Sequence, residues 1–223
     1  MNNTPTVNAS TDTADHVLDP AEAMATYYTQ AKRTQMNLSM ISRVPYLAWG
    51  AAWLIGFGTL WISGRSMNSE PSTWAIIVFD LCIMAGWIIS VVIGIRATKN
   101  MRNVSGTSGA IYGWAWGLSF VAGIFMMNWF CHVYNIVPAG IAVLNMSVSA
   151  LLVGTLMIAG AAIWPNRSMV IIGTLMLVLC ILGVVVSLPT GYLVMALAGG
   201  GGMLIAFAEE TWRIHRLAVR AAV

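Results

Sequence analysis

Six stretches of this sequence are almost wholly apolar, at about 44–63, 72–95, 110–130, 139–163, 168–188 and 191–208. A helix that rises about 1.5 Å per residue crosses the roughly 30 Å hydrocarbon core of a bilayer with about 20 such residues. Each stretch is long enough to span. In lipid, only helices and closed barrels pair every backbone N–H and C=O internally. A barrel strand shows period-2 alternation over about 10 residues, whereas these runs are about twice that length and do not alternate. The expected fold class is therefore all-α: a polytopic integral membrane protein forming a six-transmembrane-helix bundle. The connections at 64–71, 100–109, 131–138, 164–166 and 189–191 are short and rich in helix breakers, so consecutive helices should pack as antiparallel neighbours.

Composition excludes the main alternatives. Of 223 residues, 58% are hydrophobic and only 9% charged, where a soluble domain carries about 25% charged residues. So few charges leave too little polar surface for an ordinary soluble enzyme, and such hydrophobicity is incompatible with a disordered chain. A net charge of +3 spread over many loops makes no basic patch, so nucleic acid is not expected as a partner. The partner that composition demands is the lipid bilayer.

Basic residues near span ends are retained on the cytoplasmic side. Lys32, Arg33 and Arg43 precede the first span, Arg96, Lys99 and Arg102 follow the second, Arg167 follows the fourth, and Arg213, Arg216 and Arg220 follow the sixth. With an even number of spans these ten share one face and only Arg65 falls on the other. The expected topology places both termini in the cytoplasm, in the cell membrane. Residues 1–18 are rich in Asn, Thr, Asp and Ser and read as a disordered cytoplasmic tail rather than a signal peptide. A helix is expected over 19–43, with Asp19 as N-cap, Pro20 at its first position and Glu22 at its third. Ala21, Met24, Tyr28, Ala31 and Leu38 recur near helical spacing, so this helix is read as amphipathic and interfacial. Residues 209–223 form a basic C-terminal helix end, where Glu209 and Glu210 stand at pairing distance from Arg213.

Cys82, Cys131 and Cys180 are too few and scattered for a disulfide framework, and Cys131-His132 alone does not make a metal site. Neither a metal nor a cofactor is expected. Trp61, Trp74, Trp114, Trp129, Trp164 and Trp212 fall near span ends, as an aromatic belt would place them, whereas Trp49, Trp53, Trp87 and Trp116 lie deeper. Gly109, Gly113 and Gly117 form a GxxxGxxxG stripe suited to close helix packing. Four consecutive glycines, Gly199, Gly200, Gly201 and Gly202, interrupt the sixth span, each costing about 1 kcal/mol of helix propensity relative to Ala. They are read either as a helix break lining a site, as at the midplane of many transporters, or as room for a bulky neighbour such as a Trp.

Asp80 is the one ionisable side chain well inside a span. An acid at such depth is a functional-site hypothesis whose partner must be named. Its neighbours one turn away, Ile76, Ile77, Ile83 and Met84, offer none, so the partner is sought on other helices: Asn145, Asn128, Ser147 or Ser149, and His132. With Trp87, these residues outline an expected polar pocket between the second, third and fourth spans. The expected function is a proton- or cation-coupled secondary transporter or exporter of a small cationic or apolar compound. The alternative is a membrane subunit or sensor that binds partner proteins through its helices, as a homodimer or in a heteromer. Catalysis is not expected, because no buried nucleophile–base pair and no second buried acid accompany Asp80.

Overall fold

A computed structural model describes residues 20–66, 70–99 and 104–221. The tail 1–18, the Asp19 cap and Arg102 lie outside the described residues, as do the side chains of Tyr28, Ala31, Lys32, Arg33, Leu38, Lys99 and Arg220. All described elements are helices: α1 (Pro20–Ser66), α2 (Thr73–Lys99), α3 (Val104–Val133), α4 (Pro138–Ile163), α5 (Arg167–Val185), α6 (Thr190–Val194), a π-helical segment (Met195–Gly200) and α7 (Gly201–Ala221). Six segments are long and apolar enough to cross a membrane: Arg43–Ser66, Thr73–Arg96, Thr107–Val133, Pro138–Ile163, Arg167–Val185 and Thr190–Arg216. The described residues form an all-helical fold whose six long apolar helices suit a multi-pass membrane protein. Two compact units divide the chain at Leu38/Ser39. In the first, residues 20–38 are helical; the remaining description concerns the second.

Several helix ends differ from the sequence expectation. The separate helices expected at 19–43 and 44–63 are one helix, with Pro45 inside it. Proline removes one backbone hydrogen bond without ending a membrane helix, because neighbouring groups re-satisfy the freed carbonyl. The connection expected at 100–109 is shorter, since α3 begins at Val104 and Gly109 is helical. At the other end of α3, Asn135 takes a left-handed conformation with φ of 50°. The Asn135 N–H bonds back to His132 O at 3.3 Å and the Ile136 N–H to Cys131 O at 2.9 Å. This double bond-back is a Schellman ending, with Asn at the position that tolerates positive φ. Asn166 caps α5, its side chain accepting from the Ser168 N–H. Between α1 and α2, the Ser72 N–H donates to Ser63 Oγ at 2.7 Å and the two hydroxyls lie 2.7 Å apart.

The core lies between α1, α4, α5 and the sixth span. Trp53, Phe57 and Leu60 of α1 meet Met146, Ala150 and Val153 of α4, Ile172, Met176 and Leu179 of α5, and Met195, Ala196 and Met203 of the sixth span. Little hydrophobic drive exists between helices in lipid, so small residues that admit a neighbour's backbone take its place. Two glycine crossings show this. A Cβ at Gly154 would lie 2.8 Å from Gly173 O, and one at Gly173 would lie 2.9 Å from Gly154 O, which holds α4 against α5. A Cβ at Gly200 would lie 2.7 Å from the Leu54 backbone nitrogen, and one at Gly50 would lie 3.0 Å from Gly200 O, which holds the sixth span against α1. By contrast α2 and α3 are peripheral: their buried residues among those described are Ala75, Gly86 and Cys131.

Candidate functional site

The position of Asp80 follows from how α2 meets α1. Gly56 receives the Phe79 side chain, where a Cβ would stand 2.9 Å from the ring, and Gly86 receives the Trp49 indole at 3.3 Å. One turn further, Trp49 Nε1–H donates to Ser90 Oγ at 2.9 Å, which gives the half-buried indole its partner. Phe79, Gly86 and Ser90 therefore mark the face turned to α1. Asp80, one residue and about 100° on from Phe79, is turned away from that contact and is exposed. Around it Ile76, Ile77, Leu81 and Met84 are exposed as well. Among the described residues Asp80 has no hydrogen-bond or ion-pair partner.

The polar residues expected around Asp80 are engaged elsewhere. Asn128 Nδ2 donates to Asn145 Oδ1 at 3.1 Å and to Ile124 O at 2.8 Å, while Asn145 Nδ2 donates to Asn128 Oδ1 at 3.3 Å and to Ile141 O at 3.0 Å. Each amide thus returns one hydrogen to its own helix and shares the other across α3 and α4. This closed pair is a helix clamp, and it corrects the expectation that Asn145 or Asn128 would pair with Asp80. Ser147 is buried without a partner among the described residues, beside Gly183, whose Cβ would meet its Oγ at 2.7 Å. Ser149 is half-buried, and His132 is exposed beside Trp129. Of the expected set, Asp80 and Trp87 share α2, Asn128 and Asn145 join each other, and Ser147 faces the core.

The glycine-rich stretch is helical throughout, which corrects the expected break. Its hydrogen-bond register shifts to π over Met195–Gly200 and returns to α at Gly201. Three of the glycines make room: a Cβ at Gly199 would lie 2.6 Å from Trp53 Cε3, at Gly200 2.7 Å from the Leu54 nitrogen, and at Gly202 2.5 Å from Leu175 Cδ2. Gly201 faces open space. Close approach by Trp53, by α1 backbone and by Leu175 accounts for three of the four. In the GxxxGxxxG stripe of α3, Gly113 is exposed and meets nothing within 4 Å, Gly117 has the Trp87 ring edge 3.7 Å away, and Gly109 is half-buried.

Among the described residues the most deeply buried acid lies in what the sequence suggests is a basic C-terminal helix end. Glu210 is 1% exposed. It accepts from the Ser168 hydroxyl at 2.9 Å and from Arg213 Nη2 at 2.7 Å. The pairing with Arg213 was legible from spacing, but the burial was not. The signal lay in the helical register: Met203, Ala206, Glu210 and Ile214 stand at i, i+3, i+7 and i+11 and are all buried, so Glu210 occupies a core position of α7. It ties the end of the sixth span to the capped start of α5.

An open groove of about 230 Å³ runs along α2, lined by Met84, Trp87, Ile88, Val91 and Val92. Asp80, Met84, Trp87 and Val91 follow at i, i+4, i+7 and i+11, so the acid and the groove share one helical stripe. Among the described residues no group of three or more His, Cys, Asp or Glu stands together to hold a metal ion. No family model, curated protein or solved structure matches this chain.

Proposed function

We propose that this protein is a multi-pass subunit of the cell membrane that acts by binding other membrane proteins, rather than by catalysis or by moving a solute through itself. The observation that carries the reading is the outward position of Asp80 on a peripheral, apolar helix. Acids inside membrane spans almost always face a bundle interior or a water-filled cavity, and at the bilayer centre a charge costs about 3 kcal/mol on insertion scales. Lipid covers Ile77, Leu81 and Met84 without penalty but leaves a carboxylate unsatisfied. A partner helix supplies what lipid does not. The basic residues around the first, second, fourth and sixth spans support a topology with both termini in the cytoplasm.

A transport reading draws on one observation, the π-helical segment of the sixth span, since such segments occur often at functional sites. The two readings separate in native membranes. Extracted gently and sized by native electrophoresis, the chain is expected in an assembly larger than its own 24.0 kDa, with a second membrane protein in fixed ratio, and Asp80→Asn should release it while leaving the chain folded. Recovery of this chain alone, unaffected by Asp80→Asn, would overturn the reading.

A further inference from the structure

We infer that the Asp80 stripe of α2 is a docking face for a transmembrane helix of another protein that carries a Lys or Arg within the bilayer. The inference rests on the partner-binding reading and names the partner's chemistry. Asp80 lies seven residues from the start of α2 at Thr73, roughly 10 Å along the helix. At that depth a carboxylate is stabilised by an opposite charge or by donated hydrogen bonds. A second copy of this chain brings no opposite charge to that depth: the basic residues of its described spans, Arg43, Arg65, Arg96, Arg167, Arg213 and Arg216, all stand within three residues of a span end, and the amides of Asn128 and Asn145 already spend their hydrogens on each other and on backbone. Charge complementarity therefore selects a foreign, base-bearing helix.

The groove gives the rest of the fit. It begins one turn from Asp80 at Met84 and continues for two turns to Val91 and Val92, lined by apolar side chains. The length matches a row of side chains on a second helix, set ridge into groove. A small cationic ligand fits less well, because binding sites bury most of their ligand's surface and this groove is open along its side. Trp87, which reaches Gly117 of α3 at 3.7 Å, lies on the same stripe one turn below Met84.

The test uses the full-length protein in phosphatidylcholine vesicles with a labelled Leu/Ala-rich helix of about 20 residues, carrying one lysine at the depth of Asp80. Energy transfer should show this peptide bound at least tenfold more tightly than the same peptide with leucine in place of the lysine. Asp80→Asn should make the two peptides equal, Asp80→Glu should keep the preference, and Val91→Trp, which fills the groove, should weaken both. Equal binding by the wild-type chain, a preference that survives Asp80→Asn, or no effect of Val91→Trp would overturn the inference. So would Asp80-dependent association of two labelled copies without peptide, or Asp80-dependent binding of tetraphenylphosphonium with no preference for the lysine peptide. A native assembly that persists without any lysine preference removes this inference alone. Lysine preference without a native assembly removes the subunit reading alone.

Discussion

Gly200→Leu is expected to prevent stable folding in detergent, and Gly200→Ala to lower unfolding stability by about 3 kcal/mol, the upper range for an overpacked core. The atoms that a Cβ at position 200 would strike are the Leu54 nitrogen at 2.7 Å, Gly50 O at 2.9 Å and the Leu54 Cα at 3.1 Å. All three are backbone. No rotamer change relieves the clash, so α1 and the sixth span must separate, and with them Trp53 from Gly199. Position 201 is the control. It has helical backbone angles of −61° and −41° and faces open space, so Gly201→Ala adds no contact and recovers up to about 1 kcal/mol of helix propensity. Unfolding by a denaturing detergent, followed through tryptophan fluorescence, reads both variants. If positions 200 and 201 respond alike, the glycines serve chain flexibility rather than close packing.

Glu210→Ala is the second large effect, expected to destabilise the protein by about 3 kcal/mol. Removing the carboxylate leaves the buried Ser168 hydroxyl without its acceptor, which costs about 1–3 kcal/mol, and opens a cavity beside Ile214 in place of the lost atoms. The contribution of Arg213 is smaller, because its side chain is 43% exposed and water screens the charge it leaves behind. Glu210→Gln keeps an oxygen for Ser168 and should lose about 1 kcal/mol; Ser168→Ala, which removes the donor with its need, should lose a similar amount. In Glu210→Ala combined with Ser168→Ala, the loss should be less than the sum of the two single losses, as for residues that share one hydrogen bond. A loss equal to the sum would mean that the two side chains act independently.

The number of apolar helices long enough to span was legible in the sequence because lipid imposes one simple requirement, length without charge, and six stretches meet it. Helix ends were less legible. The boundary expected between residues 43 and 44 is absent, since α1 runs on through it and through Pro45. Packing was hardest to read. The four glycines look alike in sequence, but three admit Trp53, the α1 backbone and Leu175 while Gly201 admits nothing, a difference set by helices far away in the chain. The candidate site illustrates the same point. Depth along a helix can be counted from sequence, and Asp80, Asn128 and Asn145 stand five to seven residues from one end of their helices. Rotation about each helix axis cannot be counted, and rotation decides that the two amides meet each other while the acid turns outward. Glu210 was misplaced for a related reason, since an acid followed by Arg213 resembles a surface pair until the buried stripe through Met203 and Ala206 is seen.

The central claim is that Asp80 faces the surrounding bilayer and not a watery path through the protein. A spin label at Met84→Cys, one turn from an intact Asp80, tests it directly in a background carrying Cys82→Ala, Cys131→Ala and Cys180→Ala. In vesicles holding the purified chain, collisions with dissolved oxygen, which concentrates in lipid, should exceed those with a water-soluble nickel chelate, and binding of the lysine peptide should suppress the oxygen signal. Greater accessibility to the nickel chelate than to oxygen would place this face on water and contradict the account.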